Sequence, residues 1–208
     1  MMKQFNEQFK TKLYETIKKI EDNSLVEIVV IIKPASGKYR DVPVWSGVFF
    51  SMFLYTFFMF SPYEFNVYLI YAFTVLGFFF AWLLVAATSF VQKFLIKKSR
   101  KLRNVEINAR AIFQKGGIRF TKEHIGVLFY VSLLEKEVFI LPDRGAEQAL
   151  PVEEWQNMKI DFRRIFETSN PADALIEKLD SWQPVFAKYI PPVENDINEL
   201  PDDLTVDL

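Results

Sequence analysis

Two stretches without a single charge constrain this chain more than anything else in it: residues 44–60 (VWSGVFFSMFLYTFFMF) and 65–92 (FNVYLIYAFTVLGFFFAWLLVAATSFVQ). The second exceeds the roughly 20 apolar residues needed to cross a bilayer. The first reaches about 26 Å as a helix, and Val42 and Pro43 close most of the gap to a core about 30 Å thick. A Phe-rich hairpin buried in a soluble core is the competing reading. It would need a large protein around it, and a chain of 208 residues with 22 Phe leaves too little for that. The expectation is a transmembrane hairpin over 42–91, with spans at about 42–60 and 67–90.

The charges next to these runs suggest an orientation. Lys33, Lys38 and Arg40 precede the first run, and Lys93, Lys97, Lys98, Arg100, Lys101 and Arg103 follow the second. The link Ser61-Pro62-Tyr63-Glu64-Phe65-Asn66 has no basic residue. The positive-inside rule then places both ends of the hairpin in the cytoplasm. A multi-pass protein of the bacterial inner membrane with cytoplasmic termini is expected, and residues 93–103 form a basic cluster at the membrane surface. The cluster hugs the membrane exit and lacks the aromatic interleaving of a nucleic-acid site, so the lipid bilayer is the expected partner and nucleic acid is not. No charge lies inside either run, so no ion pathway or proton relay is indicated. Gly77 and Ala81 make a small-xxx-small pair that lets two spans approach; a homo-oligomer stays open.

Residues 1–20 carry charge throughout, unlike a signal peptide. Phe5, Phe9, Leu13, Ile17 and Ile20 recur at helical spacing, which predicts an amphipathic helix packed on a sheet. The absence of cysteine excludes disulfides, thiolate ligands and a cysteine nucleophile. Residues 191–208 hold six acidic residues and no basic one, with several prolines, and read as a disordered tail.

The rest reads as pieces of one fold. LVEIVVII (25–32) is a β-branched strand closed by Pro34. A helix is expected over 92–115, with Leu95, Leu102, Val105, Ala109 and Ile112 on one face and Gly116-Gly117 as its stop. IGVLFYVS (125–132) is a strand apolar on both faces, and Val138–Leu141 returns after a turn. Helices follow over 151–168 and 171–188, each begun by proline, with Trp155, Ile160, Phe162, Ile165 and Phe166 covering the sheet. The fold class is α/β: a mixed three- to four-stranded sheet flanked by helices as a sandwich, its first β-α-β crossover opened to admit the hairpin. The discontinuous domain comprises 1–41 and 92–190.

The segments EIVVIIKPASGKYRD, GIRFTKEHIGVLFYVSLLEKEVFILPDRG and EEW resemble the TPM domain family, over roughly residues 5–170 without the hairpin. That family includes a thylakoid-lumen acid phosphatase, a photosystem II repair protein and bacterial membrane proteins. The resemblance implies a TPM-like sandwich. It also implies phosphomonoester hydrolysis with a divalent ion, calcium or magnesium, held by acidic residues near strand ends. By the same analogy a LemA-type membrane protein is a partner. The phosphatase relatives have sheet edges richer in Asp and Gly than Lys122-Glu123-His124 and Leu141-Pro142-Asp143-Arg144-Gly145.

Candidate chemistry is sparse. Ser36-Gly37-Lys38 lacks the upstream Gly and following hydroxyl of a phosphate loop, having Lys33 and Tyr39 in those places. Asp41 and Asp143 are the acidic residues placed near strand ends, and are the candidate catalytic and metal-binding pair. With Ser36 or Ser132 they would still be an incomplete shell for a hard cation. Asp41 as a turn cap and Asp143 as the ion partner of Arg144 are the structural alternatives. A cleft facing a ligand or partner is expected from Ser36, Lys38, Tyr39, Arg40, Ser132 and Arg144. His124, the sole histidine, reads as a strand-entry residue, since zinc needs three or four nitrogen or sulfur ligands. Glu27 reads as half of a structural ion pair. Two functions follow: a non-enzymatic membrane-anchored binding, assembly or maintenance module, which is preferred, or a metal-dependent phosphomonoester hydrolase.

Overall fold

The computed structural model describes residues 4–115 and 124–192. The expected Gly116-Gly117 helix stop, Lys122-Glu123 and nearly all of the acidic tail lie outside the described residues. The chain divides into two compact units, residues 1–36 with 102–208 and residues 37–101. The boundaries fall a few residues before 41 and several after 91.

The first unit is mixed α/β. Its elements are α1 (Glu7–Glu21), β1 (Glu27–Lys33), most of α5 (Lys98–Lys115), β2 (Gly126–Ser132), β3 (Glu137–Pro142), α6 (Arg144–Ala149), α7 (Val152–Arg163), a short 3-10 turn (Arg164–Glu167) and α8 (Pro171–Tyr189). Helix α1 starts where the Asn6 side chain accepts from the Phe9 amide at 2.9 Å, which satisfies one of the unpaired N–H groups of the first turn. It stops where Asn23 and Ser24 turn back to donate to the carbonyls of Lys19 and Ile20.

Strand β2 is central. It pairs parallel with β1 from Glu27↔Gly126 to Lys33↔Ser132, and antiparallel with β3 from Val127↔Pro142 to Ser132↔Glu137. All seven residues of β2 are buried, because both of its faces are covered. On one face Ile28, Val30, Val127, Phe129 and Ile140 join a core with α1, α7 and α8. Phe129 meets Phe162 with ring centroids 4.9 Å apart. On the other face Ile31, Leu128 and Tyr130 meet Val105, Ala109 and Phe113 of α5. Alternation along a strand sends successive residues to opposite faces, so one apolar run serves both cores. Ile160, expected to cover the sheet, is exposed, whereas Trp155, Phe162 and Ile165 are buried as expected. Strand β1 begins later than the apolar run does, since the Leu25 amide donates to the carbonyl of Ile190.

The second unit holds α2 (Asp41–Phe60), α3 (Val67–Ala87), α4 (Ser89–Leu95) and the first turn of α5. Both α2 and α3 are long and apolar enough to cross a membrane. They pack antiparallel through a six-residue link, with the Asn66 side chain capping α3 by accepting from the Tyr68 amide. Two glycines lie in their contact. A Cβ on Gly77 would run into Leu54 Cδ1, and one on Gly47 would meet the Phe78 ring and its carbonyl oxygen at 2.8–2.9 Å.

The continuous helix expected over 92–115 is two helices. Thr88 and Ile96 are extended, so α3 ends at Ala87 and α4 at Leu95. Gln92 helps to fix the first break: its side-chain amide donates to the carbonyls of Val85 and Ala86, which have no partner in a helix's last turn. Leu95 is consequently exposed on α4 and no part of the α5 core face.

Candidate functional site

At the carboxyl end of β1 the backbone ladder continues past the strand. The amides of Leu133 and Leu134 donate to the carbonyls of Lys33 and Pro34 at 3.0 and 2.9 Å. This brings Ser36 against the end of β2 and the turn into β3. The Ser36 amide donates to both carboxylate oxygens of Glu135, at 3.0 and 3.2 Å. Its carbonyl accepts from the Asn108 side chain of α5 at 2.8 Å. Its hydroxyl lies 2.9 Å from the Tyr130 oxygen and 2.7 Å from that of Ser132. Backbone donor, backbone acceptor and side chain of one residue are all engaged.

The proton order in this cluster follows from counting. Each hydroxyl has one hydrogen to give. Ser132 donates to Glu135 Oε2 at 2.5 Å, so its oxygen accepts from Ser36, and Ser36 in turn accepts from Tyr130. The chain Tyr130→Ser36→Ser132→Glu135 therefore runs one way and ends on a carboxylate. Tyr130 and Ser132 are fully buried and Glu135 nearly so. Burial pushes the Tyr130 phenol above its ordinary pKa; its hydrogen bond with Ser36 offsets part of this and the Glu135 charge adds to it. Ser132 has a carboxylate partner but no exposed surface, so its oxygen cannot reach a substrate. The arrangement fastens the segment after β1 to the β2–β3 turn, whose Lys136 has a left-handed backbone (φ 54°).

Of the expected cleft, Ser36 and Ser132 come together in this cluster. Asp143 and Arg144 do not join them. Strand β3 is antiparallel to β2, so its end returns to the amino end of β2, about 20 Å of strand away from Ser132. There Asp143 caps α6, its Oδ1 accepting from the Arg144 amide at 2.8 Å and its Oδ2 lying 3.2 Å from His124 Nδ1. The side-chain partner of Asp143 is His124 and not Arg144, and His124 itself stands at the entry to β2 in a left-handed conformation (φ 54°). Asp41, Lys38, Tyr39 and Arg40 belong to the other unit. Asp41 opens α2 and takes a two-pronged hydrogen bond from Arg100, at 2.6 and 2.8 Å. The guanidinium also lies over the Tyr39 ring, 5.2 Å from its centre.

The acidic pair does not fit a calcium or magnesium site. A hard cation takes six or more oxygens, and each carboxylate already serves neighbours in its own unit. Among the described residues no three acidic or histidine side chains are grouped closely enough to hold a metal. Tyr130, Glu135 and Asn108 belong to the cluster without any sequence motif that marks them. One signal for the first was visible: Tyr130 and Ser132 are the two hydroxyl residues of an otherwise apolar strand, two apart and hence on one face.

The fold thus defines a mixed α/β protein that carries an apolar helical hairpin. No protein-family model matches the chain, and no curated protein matches it. Among solved structures it is similar to the NMR structure of BA42 protein from the psychrophilic bacterium Bizionia argentinensis, with a TM-score of 0.57 and 17% identity over 95% of this chain and 91% of that one. At that identity the likeness is one of fold.

Proposed function

We propose that the protein is an integral membrane protein: α2 and α3 cross the bilayer, and a TPM-like α/β unit on the cytoplasmic side is a non-enzymatic docking module for a membrane partner. The observation that carries this reading is the uncovered apolar surface of the hairpin. Its surface is broadly apolar and exposed, with Phe49, Phe60, Tyr68 and Leu76 all more than 60% accessible. Yet all four Ser and Thr hydroxyls in α2 and α3 donate within their own helix. Ser46, Thr56 and Thr74 reach the fourth preceding carbonyl at 2.8 Å, and Ser51 the third at 3.0 Å. Hydrocarbon offers no partners, so a spanning helix must satisfy such groups internally. A soluble helix pair has no reason to leave this much aromatic surface uncovered.

The cytoplasmic placement rests on the basic residues that flank the hairpin and their absence from its link. The docking role rests on a cluster at the strand ends that is closed to substrate and on the spent carboxylates of Asp41 and Asp143. Two measurements test the proposal in the full chain. Alkaline carbonate washing of membranes from expressing cells should leave the protein in the pellet; release into the supernatant refutes the span. The purified chain should show no calcium- or magnesium-dependent hydrolysis of a generic phosphomonoester. Turnover that Asp41→Asn or Asp143→Asn abolishes would refute the docking role in favour of the hydrolase.

A further inference from the structure

We infer that the base of the hairpin is a binding surface selective for anionic phospholipid headgroups, formed by Lys38, Arg40, Lys97 and Lys98. The inference rests on the membrane reading above and names the lipid chemistry that its basic end recognises.

Not every cation of the sequence cluster is available. Arg100 is taken by Asp41 and stacked on Tyr39. Lys101 donates to the carbonyl of Lys93. Lys38, Arg40, Lys97 and Lys98 are exposed, and their side chains have no hydrogen-bond or ion-pair partner among the described residues. All four belong to the second unit. The same Asp41–Arg100 pair gathers them: it joins residue 41 to residue 100, and so brings the segment before α2 beside the segment after α4. Pairing also neutralises Asp41, the one carboxylate at that end. The unit's other carboxylate, Glu64, is on the link between α2 and α3, about 30 Å away along a 20-residue helix.

Next to these cations are the apolar groups an interface takes up. Trp45 is in the second turn of α2, 59% exposed, and Phe94 in α4 is 85% exposed, between Lys93 and Lys97. Aromatic rings favour the headgroup level of a bilayer, and phosphate-bearing headgroups next to them meet lysine and arginine. Four unpaired positive charges beside two exposed rings match an anionic surface; a zwitterionic one would leave them without net attraction.

The test uses the full chain reconstituted in phosphatidylcholine bilayers, with spin-labelled phosphatidylglycerol or phosphatidylcholine as probe. Electron paramagnetic resonance reads the fraction of each lipid held at the protein. The expected result is a preference for phosphatidylglycerol of at least about fivefold, the effect of one well-placed cation. It should fall towards unity at about 1 M salt, where the screening length is about 3 Å. The K38Q/R40Q/K97Q/K98Q variant should lose the preference. A K12Q/K18Q/K159Q/K188Q variant, which removes four exposed lysines of the α/β unit, should keep it. Equal retention of both lipids by the unaltered chain overturns the inference, as does equal loss in both variants. A chain that does not enter the bilayer at all overturns the membrane reading, and this inference with it. Far-ultraviolet circular dichroism of each variant separates lost selectivity from lost folding.

Discussion

Replacing Ser36 by alanine should loosen the α/β unit far more than its half-exposed position suggests. The substitution removes two hydrogen bonds, one accepted from Tyr130 and one donated to Ser132. The two losses differ. Ser132 keeps its bond to Glu135, so the lost donation costs about 1 kcal/mol, the net value of an ordinary hydrogen bond. Tyr130 is fully buried, and its hydroxyl is left with no acceptor, a desolvation cost of about 1–3 kcal/mol. The sum is about 3 kcal/mol, on the order of a hundredfold in an opening equilibrium. Native-state hydrogen exchange on the full chain in detergent is the suitable assay, because it reads local opening without complete unfolding of the chain. The amides of Val30, Ile32, Phe129 and Val131 should exchange on the order of a hundredfold faster in Ser36→Ala. Adding Tyr130→Phe removes the stranded hydroxyl and should recover at least about 1 kcal/mol of the loss. If Ser36→Ala changes these amides by less than about fivefold, or if the double variant is no better than the single one, the one-way hydrogen-bond chain is wrong.

Three further outcomes follow from named contacts. The Tyr130 phenol titrates above its ordinary value, so the fold prefers it neutral; its contribution is complete below about pH 10 and is lost as pH rises through the raised value. Circular dichroism on alkaline titration should show Tyr130→Phe outlasting the parent chain, and an earlier collapse of the variant contradicts this. Gly47→Ala should cost about 1–3 kcal/mol, since its new methyl meets a backbone carbonyl as well as a ring, whereas Gly77→Ala meets the movable end of Leu54 and should cost less. Thermal denaturation in detergent orders the two, and the reverse order refutes the packing argument. Thr56→Val should shift that same midpoint little, within about 0.5 kcal/mol, because the Met52 carbonyl remains in the helical ladder.

The hairpin and the sheet could be read from sequence because each is written in a run of residues. A charge-free stretch has few solvents open to it, and a β-branched run between turn residues makes a strand. The break between α3 and α4 could not be read so easily, since a bond from the Gln92 side chain to the preceding helix, across Thr88, helps to fix it. The candidate site was half legible. Ser36 and Ser132 were placed near each other by the parallel pairing of β1 and β2. Sequence marks Asp143 as a strand-end residue but not which end it occupies, and an antiparallel β3 delivers it to the opposite end of β2 from Ser132. Gly47 and Ser51 have the same small-xxx-small spacing as Gly77 and Ala81, and a Cβ on Gly47 would meet the Phe78 ring and carbonyl at 2.8–2.9 Å.

Hydroxyls in this chain are satisfied in two ways, and the difference explains why removing one should cost much in one place and little in another. The division is not by unit, since Thr11 and Thr16 of α1 also bond within their own helix. A serine or threonine hydroxyl brings a donor that has to be satisfied. In α2 and α3 the donor turns back on its own helix, where an acceptor already serving the ladder takes a second bond. Removing such a hydroxyl strands nothing. In the α/β unit the hydroxyls of Tyr130, Ser36 and Ser132 each depend on the next, and the series closes only on Glu135. Removing a middle member strands the one before it in a dry core. The first arrangement is independent of the neighbours and suits an exposed helix face. The second is strong only while every member is present, which suits the place where the chain leaves β1 at Ser36 and the sheet must hold its end.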